Sequence, residues 1–167
     1  MKSTKDNILI LGGGARERII YKKLENYNTF IYSGNSFQEI SDLCVKKQIN
    51  LVIPCSETYL CSGIADYITA FDIKVFGPTK EQSKIEGSKH YSKKLMNELN
   101  IPTSDYTFLK DYDEGKRFYN NSSVVAKDMV IKYDGLAKGK GVYLPDTIEE
   151  SLKAVKNLFY TDEHNSG

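Results

Sequence analysis

The sequence predicts an α/β protein that begins with a parallel, Rossmann-like sheet and continues into a second domain. Short apolar segments alternate with segments of helical periodicity over residues 1–77. Glycine-rich or polar turns follow the strand-like segments. Parallel neighbours need a crossover connection, and a helical segment lies between successive predicted strands. This alternation is lost after residue 77, so we assign one domain to residues 1–77 and another to residues 78–167.

The predicted elements of the N-terminal domain follow one another from residue 7 to residue 76. Asn7–Leu11 is an apolar run that ends at three glycines, which is typical of a buried strand and a tight turn. Phe37–Lys47 carries apolar residues at helical spacing and is predicted to be an amphipathic helix. The other predicted strands are 29–32, 51–54 and 74–76, and the other predicted helices are 15–24 and 59–71.

The second domain is predicted to contain three helices and a pair of strands. An apolar stripe predicts a helix over 88–99. Asp111 with Glu114, and Asp146 with Glu149, have the spacing of a capping box and predict two further helix starts. Strands are expected at 130–132 and 142–144, on either side of a glycine-rich loop.

Composition restricts the classes of function. The chain has 23 Lys+Arg and 22 Asp+Glu, a balance that argues against a nucleic-acid partner. No apolar run approaches the ~20 residues that span a bilayer, and the first apolar stretch is too short for a signal peptide. The three cysteines have no metal-like spacing, and His90 has no spaced partner, so no metal site is predicted. We therefore expect a cytoplasmic globular protein that acts on small molecules and contacts no membrane.

The turn after the first strand is the first candidate binding site. Its residues are Gly12-Gly13-Gly14-Ala15-Arg16-Glu17, and such a turn exposes backbone N–H groups that suit a phosphate. The dinucleotide fingerprint is not met, because Glu17 occupies the third glycine position, and a nicotinamide cofactor is not expected. The alternative is a turn that needs glycine only for its backbone conformation.

The loop 133–141 is the second candidate, because three glycines and three lysines fall within or beside it. It is not a Walker A loop, since Lys140 stands where that motif needs glycine. A glycine-rich hairpin that carries lysines suits a triphosphate, because lysine supplies charge and glycine lets backbone N–H groups approach the oxygens. The alternative is a solvated, lysine-rich hairpin turn. Lys89 at a helix start and Glu57 after the third strand are weaker candidates, since each also suits an ordinary surface position.

These motifs, in their order, resemble the phosphoribosylamine–glycine ligases of purine biosynthesis, which are ATP-grasp enzymes also called glycinamide ribonucleotide synthetases. The most specific segment is the string VIKYDGLAKGKGV, which begins at Val130. The resemblance covers essentially the whole chain but only the N-terminal part of the family's longer sequence. The other segments that carry it are GGGARE at 12–17, Gly77-Pro78-Thr79, Glu86-Gly87-Ser88-Lys89 and Ile101-Pro102-Thr103.

The resemblance implies a substrate domain followed by the start of an ATP-grasp domain. The implied reaction activates glycine as an acyl phosphate, which phosphoribosylamine then attacks, with Mg²⁺ bridging the phosphates of ATP. The residues implied to contact the ATP phosphates or to lie in the loop above them are Lys89, Lys132, Gly135, Lys138, Gly139, Lys140 and Gly141. Those implied to bind phosphoribosylamine are Gly13, Gly14, Arg16, Glu17, Gly34, Asn35 and Glu57.

The resemblance assigns no catalytic or metal-binding residue within these 167 residues, because the Mg²⁺ ligands and the adenine-binding hinge are expected beyond Gly167. The chain by itself is therefore expected to be inactive and to require the C-terminal part of its own polypeptide. Two alternatives stay open. One is part of another ATP-grasp ligase or carboxylase, and the other is a shortened, non-catalytic module that binds a phosphorylated metabolite.

Overall fold

The computed structural model describes residues 6–121, 123–137 and 139–160 of the chain. The chain divides into two compact units, Met1–Glu86 and Gly87–Gly167. The first unit contains a parallel sheet with helical crossovers, and the second contains helices and a short antiparallel β-ribbon. This architecture confirms the predicted α/β fold.

The first unit is built on four parallel strands, which are β1 (Asn7–Leu11), β2 (Asn28–Tyr32), β3 (Leu51–Pro54) and β4 (Lys74–Val75). Their order in the sheet is β2-β1-β3-β4. Leu11, the last residue of β1, pairs with Tyr32 of β2 and with Pro54 of β3. The loops that follow these three strands therefore leave the sheet at the same edge. The helices between the strands are α1 (Ala15–Lys23), α2 (Phe37–Lys47), α3 (Glu57–Ser62) and α4 (Ile64–Thr69).

The core of the first unit lies around the central strand. Leu9, Ile10 and Leu11 are fully buried, as expected for a strand of a parallel sheet that is covered on both faces. Leu9 and Leu11 belong to one cluster with buried side chains from α2 and α4, among them Ile40 and Ile68. The apolar run in the sequence thus becomes the strand that holds the crossover helices to the sheet.

The predicted helix at 59–71 is wrong in one respect, because two helices occupy this region. Gly63 ends α3 in the left-handed conformation, with φ +96°, and α4 begins at the next residue. The apolar spacing continues across Gly63, with Ile64 and Ile68 both buried, and this continuity predicts a single helix. A glycine reverses the local backbone at little cost, so the helix can break here without loss of its buried face.

The boundary between the units also differs from the predicted division at residue 77. Residues 78–86 belong to the first unit. The backbone N–H of Lys80 donates to the Asp66 carboxylate at 2.7 Å, and the Cys61 thiol lies 3.6 Å from the carbonyl oxygen of Ser83. These contacts attach the segment to α3 and α4, although its sequence has no strand–helix alternation.

Cys44 offers a test of the packing in α2. Its side chain is 1% exposed, and burial raises the pKa of its thiol to about 11. An unfolded cysteine titrates near ~8.5, so folding favours the protonated thiol, and this stabilisation is lost as the pH rises through the folded pKa. We predict that the difference in unfolding free energy between the wild type and Cys44→Ala decreases from about pH 8 to about pH 11. Urea unfolding of both proteins measures it, and a pH-independent difference would contradict the prediction.

The second unit contains three longer helices and the β-ribbon. The helices α7 (Tyr112–Asn121) and α8 (Ile148–Tyr160) pack closely at Gly115, where a Cβ would lie 2.9 Å from Cγ1 of Val155. Tyr119, Ala154 and Val155 are buried in this unit. A short helix, α5 (Lys84–Gly87), precedes it, and its elements are α6 (Lys89–Glu98), α7 (Tyr112–Asn121), a 3₁₀ turn (Ala126–Asp128), β5 (Ile131–Lys132), β6 (Val142–Tyr143) and α8 (Ile148–Tyr160).

One of the two predicted capping boxes is confirmed and the other is displaced. The N–H of Glu114 donates to Asp111 at 2.6 Å, as predicted. For α8 the prediction of Asp146 and Glu149 is wrong by one residue, because Thr147 accepts from the Glu150 N–H at 3.1 Å. The Glu150 carboxylate in turn accepts from the backbone N–H of Asp146 at 2.8 Å. Both pairs have the required spacing, so the sequence pattern does not distinguish them.

Candidate functional site

The first group of candidate residues lies at the edge of the sheet where β1, β2 and β3 end. The N–H of Gly12 donates to the carbonyl of Tyr32 at 2.9 Å, and the N–H of Cys55 donates to the carbonyl of Leu11 at 3.0 Å. The turn after β1 is therefore tied to both neighbouring loops. The sequence-predicted residues at this edge are Gly13, Gly14, Arg16 and Asn35, all exposed, Gly34 and Glu57, half-buried, and Glu17, buried.

Glu17 is the most enclosed charged residue of this edge, with only 5% of its surface exposed. Its carboxylate lies against the glycine turn, since a Cβ at Gly12 would lie 2.5 Å from Oε1 and a Cβ at Gly14 would lie 2.9 Å from Oε2. Gly12 also has φ +128°, a backbone conformation that other residues rarely adopt. The glycines are thus needed both for the shape of the turn and to make room for a carboxylate, which can accept hydrogen bonds from an amine or a hydroxyl.

The starts of α1 and α3 meet at the same edge. Arg16 Nη2 lies 3.9 Å from Glu57 Oε2, and 73% of the arginine side chain is exposed. An exposed ion pair of this length contributes little stability, so both side chains are available to a ligand. The Tyr59 hydroxyl donates to the carbonyl of Gly34 at 3.0 Å and so ties α3 to the loop after β2.

Two residues of this edge are absent from the sequence-based candidates. Tyr59 is buried, and burial raises the pKa of its hydroxyl, with a smaller contribution from the Glu17 carboxylate. Cys55 directly follows β3, and its thiol pKa is raised by burial and by Glu17, while Arg16 lowers it. Cys55 could have been recognised as a candidate from its position directly after the third strand. Nothing in the local sequence indicates the contact of Tyr59 with Gly34.

The second group of candidates lies on the β-ribbon of the second unit. Ile131 pairs with Tyr143 and Lys132 with Val142, and the N–H of Tyr133 donates to the carbonyl of Gly141 at 2.8 Å. Three loop glycines have positive φ angles, namely Gly135 (+155°), Gly139 (+80°) and Gly141 (+78°). Lys132 and Lys140 are exposed, and Lys138 lies outside the described residues.

The start of α6 contacts this loop. Lys89 Nζ donates to the carbonyl of Gly135 at 2.9 Å, so the structure brings together two residues that the sequence predicted separately. The Ser88 hydroxyl caps the helix, with its oxygen 3.0 Å from the N–H of Tyr91. It also donates to the Asp134 carboxylate, at 3.0 and 3.2 Å from the two oxygens. Ser88 and Asp134 stand in the motifs that carry the family resemblance, but the sequence assigned no function to either.

Within residues 6–121, 123–137 and 139–160, no group of three or more His, Cys, Asp or Glu side chains could hold a metal ion. Among the helices of the same ranges, none is long and apolar enough to cross a membrane.

Both structural units contain regions that match domain models of one known family. The model of the phosphoribosylglycinamide synthetase N domain matches residues 27–86, and that of the ATP-grasp (A) domain of the same synthetase matches residues 87–167. The chain belongs to the phosphoribosylglycinamide synthetase family. The two matched regions meet at residues 86 and 87, where the two structural units also meet.

Relatives of the family are similar to nearly the whole chain. The bifunctional purine biosynthetic protein ADE5,7 of Saccharomyces cerevisiae is 34% identical, over 94% of this chain and 22% of its own length. The phosphoribosylamine–glycine ligase of Rhodopirellula baltica is 31% identical, over 93% of this chain and 40% of its own. The phosphoribosylamine–glycine ligase of Listeria monocytogenes is 33% identical, over 94% of this chain and 41% of its own length. The chain thus spans less than half the length of these relatives and corresponds to their N-terminal part.

Solved structures agree with this assignment. The phosphoribosylamine–glycine ligase of Thermotoga maritima superposes with a TM-score of 0.69 at 27% identity, over 96% of this chain and 41% of that one. The biotin carboxylase domain of 2-oxoglutarate carboxylase from Hydrogenobacter thermophilus superposes with a TM-score of 0.71 at 19% identity, over 93% and 41%. This second likeness concerns the fold alone. The predicted order of a parallel-sheet domain and the start of an ATP-grasp domain is confirmed by the two matched family models.

Proposed function

We propose that the chain is the N-terminal part of an ATP-dependent ligase that joins glycine to phosphoribosylamine in purine biosynthesis. The observation that carries this proposal is the 2.9 Å contact between Lys89 Nζ and the Gly135 carbonyl. Lys89, which the family resemblance assigns to ATP, thereby contacts the loop that follows Lys132, the second lysine that the resemblance assigns to ATP. Family membership and the ligase relatives support the same reaction.

In this proposal the second unit binds the phosphates of ATP. Lys89, Lys132 and Lys140 supply positive charge, and the glycines of the loop allow backbone N–H groups to approach phosphate oxygens. Lys138, Gly139 and Gly141 are assigned to the same loop by the family resemblance. Neutralising charge on the transferred phosphoryl group, together with positioning it, accounts for most of the catalysis of phosphoryl transfer. We also propose Mg²⁺ as a cofactor, with its ligands in the part of the polypeptide beyond Gly167.

The proposed substrate of the first unit is phosphoribosylamine. The turn after β1 offers backbone N–H groups at Gly13 and Gly14, and exposed Arg16 is suited to a phosphate. The carboxylates of Glu17 and Glu57 are suited to accept hydrogen bonds from the amine or the ribose hydroxyls. Gly34 and Asn35 complete the proposed substrate edge.

The proposed reaction has two steps. A carboxylate oxygen of glycine attacks the γ-phosphorus of ATP, and ADP leaves. The amine of phosphoribosylamine then attacks the carbonyl carbon of the glycyl phosphate, which releases inorganic phosphate and leaves an amide. The residues of this chain bind and orient the reactants, and such positioning can account for several kcal/mol of barrier reduction. We expect the protein to work in the cytoplasm on small molecules, without a nucleic-acid partner.

The proposed function is tested with two proteins. One is the 167-residue chain, and the other is a fusion of these residues to the C-terminal part of the Listeria monocytogenes ligase that they do not match. We expect the fusion to release phosphate from ATP only when both glycine and phosphoribosylamine are present. We expect the 167-residue chain to show no turnover, because its relatives use a much longer polypeptide for the reaction.

The intact Listeria ligase serves as the positive control. A fusion that folds and binds ATP but shows no glycine-dependent turnover would contradict the proposal and favour a non-catalytic, phosphometabolite-binding module. Turnover by the 167-residue chain would contradict the assignment of the missing functions to the C-terminal part.

A further inference from the structure

The Asp134 carboxylate accepts hydrogen bonds from two donors at the start of α6, and no phosphate-binding role requires these contacts. Its carboxylate accepts from the Ser88 hydroxyl at 3.0 and 3.2 Å and from the backbone N–H of His90 at 3.0 Å. These partners lie 44 to 46 residues earlier in the chain. The next residue, Gly135, accepts from Lys89 Nζ at 2.9 Å. Three donors, from Ser88, Lys89 and His90, thus hydrogen-bond the start of α6 to the beginning of the glycine-rich loop.

The donors of these bonds lie in the first turn of α6, which is held in place by ring stacking and by a helix cap. The ring of His90 stacks on Phe108, with centroids 4.2 Å apart and an angle of 23° between the planes. The Ser88 hydroxyl already caps the helix through the N–H of Tyr91. The N–H of His90 is one of the donors that a helix start leaves without an internal partner, and Asp134 satisfies it from outside the helix.

The position of Asp134 links two lysines of the proposed ATP site. Lys132, in β5, is two residues before Asp134, and Lys89 is the first residue of α6. If the Asp134 carboxylate is removed, the bond from Lys89 Nζ to the Gly135 carbonyl still joins α6 to the loop. That bond must compete with any phosphate that Lys89 binds. When Lys89 turns to a ligand, the bonds of Asp134 therefore keep the loop attached to α6 and preserve the spacing of the two lysines.

We propose that Asp134 is a positioning residue, which fastens the glycine-rich loop to α6 and so keeps Lys89 and Lys132 at a spacing that fits a triphosphate. This inference rests on the proposed function of the second unit. Asp134 touches neither substrate nor phosphate in this role, and its effect reaches ATP through the two lysines.

The direction in which ATP affinity changes when Asp134 is neutralised distinguishes a positioning role from a purely electrostatic effect. A carboxylate close to a triphosphate repels it, so neutralising that carboxylate should strengthen ATP binding if charge alone matters. A positioning role predicts the opposite, because loss of the bonds leaves the two lysines without a fixed spacing. Asp134→Asn keeps one acceptor oxygen but loses the charge, and Asp134→Ala loses all the bonds. We therefore expect ATP affinity to fall in the order wild type, Asn variant, Ala variant.

The test uses the fusion protein described above, which supplies the adenine and Mg²⁺ sites expected beyond Gly167, and two nuclear magnetic resonance measurements. Hydrogen exchange of the His90 N–H, without nucleotide, measures the contact itself. A titration with MgATP, followed through the amide signals of α6 and of the loop, measures affinity. We expect Asp134→Ala to accelerate exchange of the His90 N–H and to weaken MgATP binding, each by about tenfold, as for a lost hydrogen bond to a charged group.

Asp128→Ala is the matched control, because it removes an exposed acid of the same unit at the 3₁₀ turn. It should leave both measurements unchanged. Lys132→Ala tests the proposed function in parallel and should weaken MgATP binding without accelerating exchange at His90.

The outcomes separate the two proposals. If Lys132→Ala weakens binding while the Asp134 variants bind MgATP as tightly as the wild type, or more tightly, the positioning role is overturned and the proposed function stands. If the wild type does not bind MgATP, or Lys132→Ala has no effect, the proposed function fails and the positioning role falls with it. Unchanged exchange at His90 in Asp134→Ala would overturn the contact on which the inference depends.

Discussion

Replacing Lys132 with alanine in the fusion protein will lower ATP-dependent turnover by at least about tenfold. A hydrogen bond to a charged group contributes ~1.5–3 kcal/mol, and 1.4 kcal/mol corresponds to a factor of ten in rate. Lys132 is exposed on β5, opposite Val142, so its loss should not disturb the core. Phosphate release at saturating glycine and phosphoribosylamine, measured over a range of ATP concentrations, gives the effect on kcat/KM for ATP.

Two variants make this result specific. Lys132→Arg should recover little activity, because a planar guanidinium does not replace a compact ammonium. Lys127→Ala removes an exposed lysine from the 3₁₀ turn of the same unit and should leave turnover unchanged. If Lys132→Ala retains full turnover, the β-ribbon is an ordinary solvated hairpin and the proposed phosphate contact is wrong.

Replacing Gly12 with alanine will reduce the unfolding free energy of the chain by about 1–3 kcal/mol, the typical cost of a strained backbone position. The φ angle of +128° is unfavourable for alanine, and its Cβ would lie 2.5 Å from Glu17 Oε1. The N–H of Gly12 also donates to Tyr32, so a shift of the turn would disturb the contact with β2. Urea unfolding followed by circular dichroism measures the change.

The backbone strain at Gly12 and the collision with Glu17 can be separated by further variants. Gly14→Ala meets the same carboxylate, at 2.9 Å, and its φ of −87° causes no strain, so it should cost less. The double variant Gly12→Ala/Glu17→Ala removes the collision and keeps the strain, so only part of the destabilisation relative to Glu17→Ala should remain. Equal stabilities for Gly12→Ala and Gly14→Ala would show that the backbone conformation of Gly12 is unimportant.

The fold was predictable wherever local periodicity and local chemistry agree. Phe37–Lys47 has the same bounds in the sequence prediction and in the structure, because an apolar stripe and a polar flank define both ends. The prediction of a single helix at 59–71 was wrong because the periodicity of apolar residues continues across Gly63, although the backbone reverses there. The predicted start of α8 was wrong by one residue because two overlapping pairs of residues satisfy the same capping pattern.

The candidate sites were predictable to a smaller extent. The carboxyl ends of parallel strands lie at one edge of a sheet, so the meeting of the glycine turn with Glu57 could be expected from sequence. The contact between Asp134 and Ser88 could not, because it joins residues 46 positions apart and neither residue belongs to a periodic pattern. Likewise, the burial of Glu17 against Gly12 depends on a side-chain conformation that no spacing rule describes.

The strand order β2-β1-β3-β4 also has a consequence for biosynthesis. The central strand, β1, is made before its neighbours, yet Asn50, the residue just before its partner β3, lies 43 residues after Asn7, the first residue of β1. At ~5–20 residues per second, a ribosome needs roughly 2–9 s to make that stretch. During this interval the most apolar strand of the protein has one ladder edge unpaired, and such edges attract other chains. The nascent chain is therefore most exposed to aggregation, and most dependent on chaperones, before Leu51–Pro54 leaves the ribosome.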